Sequence, residues 1–482
     1  MAESKMSIKK ATLINSAAKY YNVICAFVVN MILARILTPA EYGVVAVVTV
    51  YTTFFALFSD LGFGVAYIQN RELTEEDKNI LFTFLVYVGL ALFLIFSVFA
   101  YGIAWFYESD VYIRVSQLLG VNLFLTAVNV IPAAELLKQQ RFKTTGITQA
   151  ISATIAAVCA VIFAKNGFSY YSIVLQSILN TLITAIVFIC LSKVRFVFRV
   201  RIATIRKVLG FSMGQIGFNI INYFSRNLDN LLIGKYFGDT ALGYYDKAYK
   251  TTTYALSNFS SIIGSSIQPV LSKYQDDKTL VYDKFRRVFL FLVIIGAYLS
   301  VSLNLASREA ILFLYGDQWE QSIVAFSLLA LSLFAQMPLS TAGSFFQVLN
   351  NTRLLALSGF ISAVLIVGGI SAGLIAGSIE AVALGFLAAQ CVNFAVVLWL
   401  MSKKLFKRSF ADLLTELAKL LIVSAATYAI CRLVFPHIVI GSYFILLAVK
   451  MLCSGLIYLA LLFAFRLEKY VITMVFPKYS RK

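Results

Sequence analysis

Long stretches of this 482-residue chain contain no Asp, Glu, Lys or Arg, among them 79–107, 144–164, 166–192, 288–307, 321–352 and 354–379. Roughly 20 apolar residues in a helix cross a ~30 Å hydrocarbon core. Inside lipid every backbone polar group needs an internal partner, so only helices and closed barrels span. Barrel strands are ~10-residue segments of alternating polarity. These runs are longer and do not alternate, so they predict helices. Composition agrees, with 60% apolar and 13% charged residues against about 25% charged in a soluble domain. A soluble enzyme, a disordered chain and a secreted disulfide scaffold are excluded.

The pattern places about fourteen transmembrane helices, at 12–36, 43–66, 79–106, 114–136, 146–165, 169–192, 208–234, 241–270, 288–307, 321–349, 354–377, 380–402, 418–435 and 438–465. On alternate connecting segments, one set holds 30 of the 41 basic residues and the other set four. The positive-inside rule then puts both termini in the cytoplasm. The basic run Lys193, Arg195, Arg199, Arg201, Arg206 and Lys207 reads as a cytoplasmic connector facing anionic lipid, and not as a nucleic-acid patch. No small-residue cleavage site follows the first apolar run, so no removed signal peptide is expected. Cys25, Cys159, Cys190, Cys391, Cys431 and Cys453 all fall in predicted spans and form no C-x-x-C. They read as small packing residues.

An internal repeat is visible. Residues 33–43 (LARILTPAEYG) precede 233–243 (IGKYFGDTALG) by 200 positions, and in both a helix ends, the chain turns and glycine follows at the same place. The unit holds six helices, an even number, which gives a parallel repeat about an axis along the membrane normal. The expected division is an N-lobe at 1–200, a C-lobe at 201–405, and two C-terminal helices with a tail at 406–482.

Ionisable groups within spans are expensive and point to function. Asn219, Asn222, Arg226 and Asp229 share one helical face, and Lys247, Lys250, Tyr254 and Ser257 form a second stripe with Asp246 beside it. Asn15, Lys19 and Asn22 share a face of the first helix, where Asp60 is a candidate partner for Lys19. The repeat mates Ala26, Val47 and Ser260 carry no charge, which suits a ligand better than a scaffold. Desolvated Arg and Lys suit phosphate. The competing reading is an internal ion-pair network that fixes helix packing. Lys450 reads as a lipid-phosphate contact or a snorkelling side chain. Glu135, Glu380, Trp105 and Trp319 read as interfacial, and His437 as a solvated loop residue. No G-x-x-x-x-G-K-[ST], metal-ligand spacing or nucleophile motif occurs.

The segment Ser225-Arg226-x-x-Asp229-x-Leu231-Leu232-Ile233-Gly234, continuing through Gly238, Leu242-Gly243-Tyr244-Tyr245 and Lys247-Ala248-Tyr249, resembles a signature of the polysaccharide-transporter (Wzx-like) branch of the MOP flippase/exporter superfamily. Residues Leu33 to Gly43 and Ser59-Asp60-Leu61-Gly62-Phe63-Gly64 look like its N-terminal signature. The resemblance covers roughly 10–405. It implies a non-enzymatic transporter in the cytoplasmic (inner) membrane. Such a transporter moves polyprenyl-diphosphate-linked oligosaccharide by alternating access of two six-helix lobes. A cationic cavity containing Arg226, Lys247 and Lys250 would hold the head group. The polyprenyl tail would lie along grooves near helices 13 and 14. Asp229, Asp246, Asp60, Lys19 and Arg35 become candidates for coupling or gating. No cofactor is implied beyond Na+ or H+ as coupling ion. Implied partners are membrane lipid, the lipid-linked glycan and the polysaccharide polymerase and chain-length machinery, with no nucleic acid. Alternatives are a lipid II flippase or a cation-coupled drug exporter of the same superfamily. An integral-membrane glycosyltransferase is more distant, because it needs acidic catalytic residues and a large outer loop.

Overall fold

The structure, a computed structural model, describes the backbone of residues 8–60, 62–70, 72–198, 200–209, 213–438 and 440–475. Side chains at 8–16, 206–222, 224–226, 258–266, 269, 412 and 472–475 fall outside the description. Among the described residues every regular element is helical. The chain divides into two units, Met1–Gly243 and Tyr244–Lys482.

The first unit begins with α1 (Ile8–Ile36) and α2 (Pro39–Asp60). Proline suits the first helical position, where no N–H partner is needed. Thr38 and Glu41 complete a capping box: Thr38 N donates to Glu41 Oε2 at 2.6 Å, and Glu41 N to Thr38 Oγ1 at 3.4 Å. Gly62, at φ 74°, ends that run, and α3 (Phe63–Gln69) follows. A second capping box, Thr74 with Asp77, opens α4 (Glu75–Tyr107). Then come α5 (Val111–Lys138), α6 (Phe142–Lys165) and α7 (Tyr171–Ser192). The central helix is α5, packed on α2, α3, α4 and α7, while α6 joins α1 to α7.

The connector after α7 is held to this unit. Asn79 Oδ1 accepts from Arg195 N at 2.8 Å, and Thr83 Oγ1 from Val197 N at 2.9 Å. The short α8 (Ile202–Leu209) follows, where Thr204 Oγ1 donates to Asp77 Oδ1 at 2.7 Å.

A long run, α9 (Met213–Leu271), is two helical arms joined at Gly238, whose φ 81° and ψ 175° lie in a region essentially reserved for glycine. The repeat seen in the sequence has a reciprocal contact here. A Cβ on Gly43 would lie 1.8 Å from the Asp239 carbonyl oxygen, and one on Gly243 would lie 1.9 Å from that of Pro39. Both pairs are related by an offset of 200. Two helix starts therefore cross at backbone-to-backbone distance, which only small residues allow.

The second unit is built around α10 (Lys278–Leu305). Two-thirds of the α10 span is buried, although its hydropathy matches that of outer helices. Around it lie α11 (Ser307–Tyr315), α12 (Ser322–Leu331), α13 (Leu333–Val348), α14 (Thr352–Ile375), α15 (Ile379–Trp399), α16 (Phe410–Val434), α17 (Tyr443–Ala464) and α18 (Glu468–Val475). The predicted span 321–349 is two helices, α12 and α13, bent by 52°. Ser300 of α10 fills the break: its Oγ donates to Leu331 O at 3.0 Å and accepts from Phe334 N at 2.9 Å. Pro338 weakens the same helix from within.

Apolar side chains cover the outside as well as the core. Val98 and Trp105 on α4, Ile375 on α14 and Leu456 on α17 are between 68% and 89% exposed. A surface like this is stable only against lipid. The described residues provide eleven helices long and apolar enough to span, or twelve with the bent pair. The α9 run covers the two other predicted spans, so a count of fourteen is not reached by these helices alone.

Candidate functional site

On the second arm of α9, Lys247 and Lys250 lie one turn apart in very different surroundings. Lys247 is 1% exposed. Its Nζ sits 4.9 Å from the centroid of Tyr315 and 5.3 Å from that of Trp319. Gly316, at φ 94°, turns the chain between those two rings. Tyr315 Oη is bonded to Thr251 Oγ1 at 2.8 Å. Ser322 Oγ donates to Tyr244 O at 2.9 Å, which pins α12 to the same arm. A buried cation in an aromatic box gains cation–π attraction where water is absent. Trp319 is thus a fully buried wall of this box and not the interfacial anchor expected from sequence.

Lys250 faces outward. Its Nζ is 2.7 Å from Asp246 Oδ2, and the side chains are 44% and 2% exposed. This i,i+4 pair leaves the lysine reachable and the carboxylate covered. The structure therefore brings Lys247, Lys250 and Asp246 together on one arm, with Lys250 as the accessible cation.

In the first unit Asp229 is buried and accepts from Asn230 N at 2.9 Å. Asp60 is exposed and accepts from Gly64 N at 3.0 Å, so it caps the first turn of α3. Arg35 lies exposed in the last turn of α1, where a cation complements the helix dipole. Lys19 is exposed, and the expected Lys19–Asp60 ion pair is not formed among the described residues. The side chains of Arg226, Asn15, Asn219 and Asn222 lie outside the described residues.

The first arm of α9 is tied to this unit near Gly238. Tyr107 Oη donates to Leu231 O at 3.0 Å, and the Tyr112 hydroxyl donates to the Asp239 carboxylate. Lys235 Nζ meets Glu108 Oε1 at 2.7 Å and, by that hydrogen bond and charge, holds the Glu108 carboxyl below its ordinary range.

Other charges resolve differently from the sequence reading. Lys450 is neither snorkelling nor at a lipid phosphate: its Nζ lies 2.7 Å from Glu309 Oε1, with both side chains largely covered. Glu135 is buried instead of interfacial, accepting from Tyr67 Oη and Gln139 Nε2, each at 2.5 Å. Sequence reading also passed over a cavity of about 630 Å3 within the first unit, whose polar lining is uncharged. Its signal was present as the stripe Ser177, Asn180, Thr181 and Thr184 at helical spacing. A search for charge does not register amides and hydroxyls.

Comparison with known proteins places these features. The family described as "Polysaccharide biosynthesis protein" matches residues 32–324, more than half of the chain. The chain is 24% identical over 402 residues to the teichuronic acid biosynthesis protein TuaB of Bacillus subtilis (strain 168), covering 81% of this chain and 82% of that protein. It is 25% identical over 358 residues to the succinoglycan biosynthesis transport protein ExoT of Rhizobium meliloti (strain 1021), covering 73% and 72%. The lipopolysaccharide biosynthesis protein WzxC of Escherichia coli (strain K12) is 22% identical over 428 residues, covering 86% and 85%. Among solved structures, the fold is like that of the lipid II flippase MurJ in an inward closed conformation. The TM-score is 0.74 at 15% identity, covering 95% of this chain and 100% of that one. An inward-facing MATE family multidrug transporter of the MOP superfamily gives a TM-score of 0.57 at 13% identity, covering 78% and 93%. With its helices and the family match coinciding from α1 to α12, the chain belongs to the polysaccharide biosynthesis protein family of multi-pass membrane proteins.

Proposed function

We propose that this protein is a flippase that carries polyprenyl-diphosphate-linked oligosaccharide from the cytoplasmic to the outer face of the membrane by alternating access. The family match over residues 32–324 carries this reading. The fold likeness to a lipid II flippase and the name of ExoT as a transport protein support it. Transport needs no covalent chemistry, so the protein is a transporter and not an enzyme. We assign the lobes to 1–200 and 201–405, with 406–482 as an addition, and both termini to the cytoplasm.

Lys250 is the first cation an incoming diphosphate meets. A diphosphate competes with Asp246 for it. Lys247 joins only when its aromatic box opens, which makes its exposure a difference between states. A ligand shifts a conformational equilibrium only through such differences. Arg226 is the third cation of this set, and its fork suits phosphate oxygens. Asp229 and Asp246 are carriers for a coupling Na+ or H+. Asp60, Lys19 and Arg35 belong to the helix ends that gate. A polysaccharide polymerase is the partner that receives the product.

The test is flipping of a fluorescent polyprenyl-diphosphate-oligosaccharide in proteoliposomes, with Arg226→Ala, Lys247→Met and Lys250→Met beside wild type. Flipping by wild type and its loss in the variants supports both function and site. Retention in all three variants removes the site assignment. Absence of flipping by wild type, with lipid II or a cationic drug transported instead, gives the function to that substrate.

A further inference from the structure

The cavity of the first unit is lined by α1, α5, α6 and α7. Among its described lining residues there is no Asp, Glu, Lys or Arg. Instead, carboxamides and hydroxyls converge from all four helices: Asn22 from α1, Asn129 from α5, Gln149 from α6, and Gln176, Asn180 and Thr181 from α7. Several lie near the middles of their helices, where the surroundings are most apolar and a polar group is most expensive.

Packing does not use up this polarity. The Oδ1 atoms of Asn22 and Asn129 are buried and accept no hydrogen bond among the described residues. Buried polar atoms are otherwise almost always satisfied. The threonine hydroxyls of the wall donate to their own helices: Thr126 to Asn122 O at 2.8 Å, Thr181 to Ser177 O at 3.0 Å and Thr184 to Asn180 O at 2.8 Å. Their lone pairs remain as acceptors, while the carboxamide NH2 groups supply donors.

The chemistry of this wall selects its ligand. A diphosphate needs cations, and the wall has none. A metal ion or cationic drug in so apolar a setting needs a carboxylate to offset its desolvation, and none is present. A neutral molecule rich in hydroxyls, each both donor and acceptor, matches the wall group for group. The volume of about 630 Å3 falls in the range of small-molecule sites, about 300–1,000 Å3, with room for more than one pyranose ring. Ala153 and Ala156 keep the α6 side open.

We propose that this cavity is a subsite for neutral sugar hydroxyls of the transported glycan, separate from the cations assigned to the diphosphate. The proposal rests on the transport reading above. The cavity reads the sugar, and Lys250 with its neighbours reads the charge.

Cys25 lines the cavity as a partly exposed free thiol, so occupancy can be measured directly. The probes are polyprenyl diphosphate alone, the same lipid carrying one, two or four neutral hexoses, and Na+ alone. The protein retains Cys25, with its other five cysteines replaced by alanine, and sits in proteoliposomes. The expected result is slower alkylation of Cys25 by a small maleimide with a hexose-bearing lipid, and no slowing with the bare lipid or with Na+. Equal slowing by the bare lipid, slowing by Na+ alone, or no slowing by any probe overturns the proposal. In the same vesicles Asn129→Leu and Gln176→Leu should slow flipping of the hexose-bearing lipid about tenfold, roughly one net hydrogen bond, and leave the bare lipid unaffected. Wild-type flipping with Cys25 unprotected and both variants unchanged removes the subsite and leaves the flippase reading standing. Absence of flipping by wild type removes the flippase reading itself.

Discussion

The two lysines of α9 are three residues apart and have the same chemistry, yet they sit in different surroundings. Lys250 is half exposed and covers the buried Asp246 carboxylate. Removing it as Lys250→Met leaves an acid in an apolar setting with that pairing lost, which costs about 1–3 kcal/mol. Replacing both, as Lys250→Met with Asp246→Asn, removes the charge that needed a partner. The double variant should therefore unfold at a higher temperature than the single one when melted in detergent. Additive losses would show that the pair contributes little. The stripe holding these residues was legible from helical spacing alone. Their difference was not, because it depends on Tyr315 and Trp319, some seventy residues away in sequence. Lys450 was misread for the same reason: its partner Glu309 lies on another helix, 141 residues distant.

Elements were legible where a local signal sets them. Charge-free runs marked the positions of α4, α6, α7, α10 and α14, whereas α2, expected from residue 43, starts at Pro39. The bend between α12 and α13 was not legible. An uninterrupted apolar run looks like one helix, while the hydrogen bonds that satisfy the break come from Ser300. Ser300→Ala should leave the Phe334 N–H and the Leu331 carbonyl without that partner. A loss of about 1–3 kcal/mol is expected, with faster amide exchange at residues 331–334 as the local readout. Unchanged exchange there would mean that the break is satisfied otherwise. The Gly43–Gly243 crossing permits a sharper test, because one contact is duplicated by the repeat. Either alanine must push the two helix starts apart, an overpacking penalty of about 1–3 kcal/mol. Once they are apart, the second alanine has room. Gly43→Ala and Gly243→Ala together should thus cost clearly less than the sum of the singles. A thermal-unfolding cycle on the four proteins measures this, and strict additivity would mean that the two contacts yield independently.

For the whole molecule, the open quantity is the force that drives transport. A membrane potential contributes about 2.3 kcal/mol per elementary charge per 100 mV. The proposed cargo is anionic, and its outward movement runs down an inside-negative potential. No additional ion is then required by energetics. The net charge of +18 does not alter this, since fixed charges that do not cross the membrane cancel from the cycle. Only the lipid head and any ion moving with it count. In proteoliposomes without a Na+ or H+ gradient, outward flipping should accelerate when valinomycin and an outward K+ gradient set an inside-negative potential, and slow when it is collapsed. Indifference to potential, with dependence on Na+ or pH, would place the drive in ion coupling. The buried carboxylates Asp229 and Asp246 then become the carriers to test. Asp229→Asn or Asp246→Asn should in that case abolish the ion dependence, whereas under potential drive both variants keep their response to voltage.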